Sequence, residues 1–529
     1  MSIDKVDLIL QGGKVYTMDA AGSEATAVAV GGGRILAIGS DDDVNSLADP
    51  AARRINLNGA VVLPGLIDSH IHIPFIGGQS DEVFLYDARS IREIVQRLRT
   101  RADQTTGPVV GVGGNFHATS LSEGVLPTAQ DLDQVATDRP VMITDVNKTI
   151  VNTHVLREID TDDIPPGGEV PLDASGKPLG VFLYAAKRMT PLGGQGDVIL
   201  GDLSVEEAIG RGLESAAQLG LTGALDAWTD LATIEAYQSV AKRKGLPIRV
   251  TVMPLCDAPH ELEGAGLSMG LEEERLTIGP IKLLFDYFVM HRTALMYEPY
   301  VGQPENRGAS SQSGQELQRR IDQAFAAGWA VGVHTTGDRG IDIVAQGLER
   351  GIETAGQAPG RCHLIHVYFP TEQALEICAD HGFAIACQPT FIRTWGETVR
   401  SFVGGERAER FNPLRTMLDH GILVGGGADS PITWHNPWVG IYAAVTRETE
   451  GGRVLGETER ISVEEAVRCY TMGSAAVLEQ ESVRGSIEIG KLADLTIIDR
   501  DILAIDPEQI PGTMVVKTIV GGEVVYSAD

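Results

Sequence analysis

Leu63-Pro64-Gly65-Leu66-Ile67-Asp68-Ser69-His70-Ile71-His72 is an apolar run that leaves a turn and ends in two histidines one residue apart. In a strand, residues i and i+2 project to the same face, so a His-x-His at a strand end aims two imidazoles at one spot. That is half of a metal site. Taken alone, the pair reads equally well as two ordinary polar residues, so the rest of the chain has to decide.

Downstream, the remaining ligand types recur at the ends of β-like runs. Lys282 lies in Ile278-Gly279-Pro280-Ile281-Lys282-Leu283-Leu284-Phe285-Asp286, and His334 follows Trp329-Ala330-Val331-Gly332-Val333. His366 closes Arg361-Cys362-His363-Leu364-Ile365-His366, and Asp429 closes Ile422 to Ala428. Imidazole and carboxylate ligands in this mixture suit Zn²⁺, Co²⁺ or Mn²⁺, among which such a set discriminates poorly.

Eight strand candidates can be placed at 62 to 72, 222 to 228, 247 to 254, 276 to 286, 329 to 335, 361 to 367, 383 to 389 and 422 to 429. Helical patterns separate most of them, as in Ser204 to Leu219 with its Ser-x-x-Glu start. Alternating strands and helices predict an α/β fold with a closed parallel sheet, a (β/α)8 TIM-like barrel. Every proposed ligand then falls near the carboxyl end of its strand, the face where barrel enzymes place their chemistry.

The order His-x-His, Lys, His, His, Asp resembles the amidohydrolase superfamily, whose members carry one or two divalent metals at a barrel mouth. The whole chain is similar to its YtcJ-like branch, which includes the N-substituted formamide deformylases. Matching text stands at both ends: Asp7 to Asp19 and Leu63 to His70 near the start, Gly490 to Asp499 and Thr518 to Tyr526 near the finish. The resemblance implies metal ligation by His70, His72, Lys282, His334, His366 and Asp429. Lys282 can ligate only after N6-carboxylation by CO₂, since an ammonium repels a cation. A lysine that merely hydrogen-bonds or pairs with Asp286 is the alternative. His363, an odd number of residues from His366, reads as structural.

The resemblance also implies a small β-sandwich built from 1–62 and 484–529, a barrel over 63–75 and 200–483, and an inserted α/β subdomain over 76–199. That insertion is too long for one strand-to-helix connection and contains a helical pattern from Ser90 to Ala102 and strands near 109–112 and 140–144. Its expected role is a substrate lid.

The implied activity is metal-assisted hydrolysis of a non-peptide C–N bond. Water is made nucleophilic near neutral pH, and Asp429 acts as base and then acid. The substrate expected first is a small, partly apolar amide, an N-substituted formamide or an N-aryl or N-alkyl amide. A cyclic imide, carbamate, urea or ester remains open, as does a metal-binding protein without turnover. No Gly-x-Ser-x-Gly elbow supports a serine route.

Three departures from the usual family text bear on substrate choice. Tyr287-Phe288-Val289-Met290-His291 follows Asp286, Asp145-Val146-Asn147 replaces a more common Asp-Gly-His, and Gly113-Gly114-Asn115-Phe116-His117 stands where tryptophan is common. Candidate substrate contacts are His117, Asn147, Tyr287, His291, Arg393, Trp395 and Trp434, with packing or simple exposure as the alternative for each.

The 529 residues exceed one compact core, so two or three domains are expected. A formal charge of −29 disfavours nucleic acid and anionic membranes as partners. The chain has no apolar run of bilayer length and no signal-peptide pattern. Five scattered cysteines point to a reducing cytoplasm. The resemblance is compatible with a homodimer, though no residue fixes the stoichiometry.

Overall fold

Gly65 cuts the opening apolar run into two strands that join different sheets. Val61–Pro64 pairs with Leu495–Ile498 and Lys14–Tyr16, whereas Leu66–Ile71 pairs in parallel with Leu221–Thr229. Backbone passes so close here that a Cβ on residue 65 would lie 2.1 Å from Thr222 Oγ1, which only glycine avoids. The stretch read as one strand from 62 to 72 is therefore two.

These relations come from a computed structural model, which describes residues 5–47, 49–78, 82–85, 88–112, 121–144, 148–165, 168–191, 203–256, 258–273 and 275–528. The chain forms two compact units. The first comprises Met1–Ile73, Val205–Pro431 and His435–Asp529, and the second Pro74–Ser204 and Ile432–Trp434.

Within the first unit the two chain ends fold together. A four-stranded sheet runs Arg34–Gly39, Ala27–Gly31, Leu8–Gln11, Arg53–Asn56. A six-stranded sheet runs Glu523–Ser527, Val515–Val520, Leu495–Ile498, Val61–Pro64, Lys14–Tyr16, Glu24–Ala25. Leu8, Leu10, Val28 and Val30 from one sheet and Val15, Val62, Ile497 and Ile519 from the other share a single core. Leu8, Leu10, Val28 and Val30 are alternate residues of their strands and share one face, while Ile9, Ala27 and Ala29 on the other face are buried in a second cluster.

The parallel strands follow in chain order but are laddered as two sheets. The first pairs Leu66–Ile71, Leu221–Thr229, Arg249–Pro254 and Leu276–Ile278, with a short antiparallel edge at Glu272–Glu273. The second pairs Ile281–Leu284, Val331–Thr335, His363–His366, Ala384–Cys387 and Val424–Gly426. The expected strand from 276 to 286 is interrupted at Gly279-Pro280, where proline removes a ladder donor. At the outer ends of the two sheets, Asp429 N donates to His70 O at 2.7 Å and His72 N to Ser430 O at 3.0 Å.

Helices follow the strands, as the alternating pattern predicts: Leu231–Lys244, Pro259–Gly264, Gly314–Ala326, Asp338–Ala355, Glu372–His381 and Thr390–Val403. Asp230, Ser313 and Thr371 accept at three of their N-termini.

The second unit holds a six-stranded sheet ordered Gly168–Glu169, Val181–Tyr184, Lys148–Val151, Val141–Thr144, Val109–Val112, Val83–Phe84. Helix Ile91–Ala102, capped by Ser90, buries Ile94 and Leu98 against Val109, Val141 and Ile150. Among the described residues, no helix is long and apolar enough to cross a membrane.

Candidate metal centre

The end of Leu66–Ile71 and the turn after Val424–Gly426 meet through backbone and through one buried carboxylate. Asp68 accepts from His70 N at 2.9 Å and from Ala428 N at 3.1 Å. Burial pushes the Asp68 carboxyl up to about 8, against the pull of those two N–H groups. A side chain at Gly427 would fall 2.8 Å from both Asp68 Oδ1 and His70 N, so the close approach requires glycine. Asp429 itself takes a left-handed conformation, φ 51°, uncommon for a residue with a Cβ.

The outcome is a tight trio. Asp429 Oδ1 lies 3.0 Å from His72 Nε2 and 3.4 Å from His70 Nε2, and one ligand atom from each residue falls within 4.8 Å of the others. Burial alone would raise the Asp429 carboxyl, but the adjoining His70 and His72 rings hold it well below the usual carboxylate range. Burial, aided by Lys282, pulls His70 down to about 3. At neutral pH the trio is a carboxylate beside an uncharged His70 ring.

A second pair stands beside it, with the His70 and His366 ring centroids 5.0 Å apart. His366 Nδ1 is 2.6 Å from Gln388 Oε1, an oxygen that can only accept, so this nitrogen carries the proton. His334 Nε2 is likewise 3.2 Å from the carbonyl oxygen of Tyr287. The remaining nitrogens, His366 Nε2 and His334 Nδ1, therefore face each other as lone pairs at 2.9 Å. Two lone pairs at that distance repel unless a cation lies between or beside them. Burial lowers His334 to about 4, and His366 and Val367 both adopt positive φ, 76° and 51°.

Lys282 is 2% exposed, and burial pulls its ammonium down to about 7, with Asp429 acting the other way. It does not pair with Asp286. That carboxylate instead accepts from Thr336 N, Gly337 N and Leu295 N at 2.8 to 2.9 Å, pinning the loop after Ile281–Leu284 to the end of Val331–Thr335.

Of the substrate candidates, Tyr287 contributes its carbonyl to His334 while its side chain is 40% exposed. The Phe288 ring stands edge-on to His334 at 5.0 Å and to His291 at 5.5 Å. Trp395 is buried, one ring removed from His366 through Phe391, and the Arg393 guanidinium lies over Tyr442. Trp434 belongs to the second unit and is exposed. His117 and Asn147 lie outside the described residues. His363 is fully buried in register with Gly332, and neither ring nitrogen has a partner among the described residues.

Sequence reading passed over Gln388 and Asp68. Gln388 occupies the first position after Ala384–Cys387, the strand-end location already used to pick the ligands, and that placement was the available signal.

With this geometry in place, the family follows. The sequence profile of the Amidohydrolase family matches residues 53–526, so the chain belongs to that family. The putative amidohydrolase YtcJ of Bacillus subtilis is 30% identical, covering 98% of this chain and 99% of the relative. The N-substituted formamide deformylase of Arthrobacter pascens is 28% identical, with 98% of each chain covered. A metal-dependent hydrolase from Pyrococcus furiosus superposes with TM-score 0.71 at 26% identity, over 94% of this chain and 99% of that one. The chain is a metal-dependent amidohydrolase of the YtcJ-like branch, a hydrolase of C–N bonds other than peptide bonds.

Proposed function

We propose that the protein hydrolyses a small, partly apolar amide, with N-substituted formamides and N-aryl or N-alkyl amides as the substrate class. The observation that carries the reading is Asp429, ionised and held between two imidazoles beside a second histidine pair whose lone pairs converge. We infer that the two parallel sheets form one closed (β/α)8 barrel, supported by the Asp429–His70 and His72–Ser430 backbone bonds at one seam and the Leu255–Lys282 bridge at the other.

His70, His72 and Asp429 would hold one divalent cation, and His334 with His366 a second, Zn²⁺ being the natural choice for this donor set. Lys282, partly neutral near pH 7, is available for N6-carboxylation and would then reach both positions. The bound metal supplies a Lewis acid and lowers the pKa of water. Asp429 accepts the proton of the attacking water and returns it to the departing nitrogen, releasing an amine and a carboxylic acid. Phe288 offers an apolar edge next to His334. A cytoplasmic homodimer acting on a small molecule is the accompanying proposal, with all five cysteines buried and none in a disulfide.

The test is elemental analysis of wild type and Lys282→Ala, alongside amine release from a panel of N-substituted formamides and anilides. Two metals per chain falling toward one, with activity lost, is the expected result. One metal in both proteins with activity retained would sink the binuclear reading. Turnover confined to imides, carbamates, ureas or esters would overturn the substrate class.

A further inference from the structure

His366 and its acceptor Gln388 stand just past the point where their strands pair, since the last residues laddered between His363–His366 and Ala384–Cys387 are Ile365 and Ala386. Asn412, fully buried on the turn before helix Leu414–Asp419, bridges the two ends. Its backbone N–H donates to Tyr368 O at 2.9 Å, two residues past His366, and its side-chain Nδ2 donates to Gln388 O at 3.1 Å. Gln388 is then held at three points: its carbonyl by Asn412, its Nε2 on Ala386 O at 3.3 Å, and its Oε1 against His366 Nδ1 at 2.6 Å.

Asn412 is itself fixed. Its φ of 49° is a left-handed conformation that asparagine tolerates better than most residues with a Cβ. Arg447, also fully buried, donates to the carbonyls of Phe411 at 2.6 Å, Asn412 at 2.8 Å and Leu455 at 2.5 Å. A guanidinium withdrawn from water is costly unless its donors are used, and two of these three bonds go to the turn that presents Asn412. The Phe411 ring meets Tyr368 at 5.1 Å, and Tyr368 meets His366 at 5.6 Å, so the same turn also backs the histidine ring through one aromatic. We infer that Asn412, fixed by Arg447, is a positioning residue for His366: by holding Gln388 against the strand that carries the ring, it keeps the proton on Nδ1 and turns Nε2 toward His334. This rests on the reading of His366 as a metal ligand.

Zn²⁺ affinity by chelator competition, and the absorption spectrum of the Co²⁺-loaded protein, test it in His366→Ala, Gln388→Ala, Asn412→Gly and the double variant Gln388→Ala/Asn412→Gly. Glycine keeps the left-handed backbone and removes only the side chain. Asn412→Gly should weaken Zn²⁺ binding roughly 10-fold, the low end of what losing a ligand's supporting contact costs, and alter the Co²⁺ spectrum. Because Asn412 acts through Gln388, the double variant should bind no more weakly than Gln388→Ala alone. Should Asn412→Gly fail to fold, Asn412→Ser carries the test, its hydroxyl being one bond too short to reach the Gln388 carbonyl. Wild-type affinity and spectrum in the folded Asn412 variant, or losses that add in the double variant, would overturn the inference. If His366→Ala loses affinity while the Asn412 variant does not, only this inference falls. Unchanged binding in His366→Ala removes the metal reading of that ring and the inference with it.

Discussion

The two corners of the candidate metal centre are built on opposite electrostatic plans. At the His70, His72 and Asp429 corner a negative charge is already bonded to the rings, so the site is stable as a hydrogen-bonded cluster before any cation arrives. At the His334 and His366 corner no charge is present, and each ring is fixed by a neutral oxygen so that two lone pairs oppose each other. The first corner can hold itself together, whereas the second is strained until a cation relieves the repulsion. The contrast teaches that loss of metal should disturb the second corner more than the first.

The largest break in that comparison is Asp429→Asn, which removes both the charge and the proton acceptor. We expect kcat/KM to fall by roughly 10²–10⁴-fold, the range for loss of a general base, with metal content reduced as well. Steady-state kinetics with elemental analysis checks this, and near wild-type turnover would remove Asp429 from the chemistry.

Gln388→Ala strikes the second corner alone. Freed of its acceptor, His366 can present the wrong tautomer, and metal affinity there should fall about 10–100-fold. One metal should remain bound tightly, so a titration resolving the two sites should show one weakened step and one unchanged.

Gly427→Ala tests the seam that brings the first corner together. The added methyl meets Asp68 Oδ1 and His70 N, so unfolding free energy should drop by about 1–3 kcal/mol, the usual cost of overpacking. Urea denaturation of the metal-free protein measures it.

The smallest effect is one of pH, read at His363. Burial, with Lys282 acting the same way, holds this imidazole down to about 3. Between that value and the ordinary histidine value the unfolded chain binds a proton that the folded one does not, so stability is lost as pH falls through this window. His363→Leu removes that contribution. On going from pH 7 to pH 5 the variant should lose roughly 1–2 kcal/mol less stability than wild type. Equal losses would show that His363 is protonated in the fold.

Much of this candidate centre was legible in residue order because most of its proposed ligands sit at or just past strand ends, where period-two alternation and chain order carry positional information, although Lys282 lies inside Ile281–Leu284. The double histidine, the glycine run before Asp429 and the apolar strands could all be read that way. What stayed hidden depended on approach between segments far apart in sequence. The splitting of one apolar run at Gly65 follows from Thr222, 157 residues on. Trp395, read from its place after a strand as a wall residue, packs in the interior behind Phe391 because its helix turns that face inward.

Sequence by itself determined the α/β class of fold, the kinds of candidate ligand and the order in which they come, since these depend on local periodicity and side-chain chemistry. Only the tertiary structure decided which nitrogens of His334 and His366 face oxygen acceptors, the pairing of Asp286 with backbone rather than Lys282, and the closeness of Asp429 to two histidines. Those properties depend on burial and on distances of a few ångströms between strands, and no spacing along one chain encodes them.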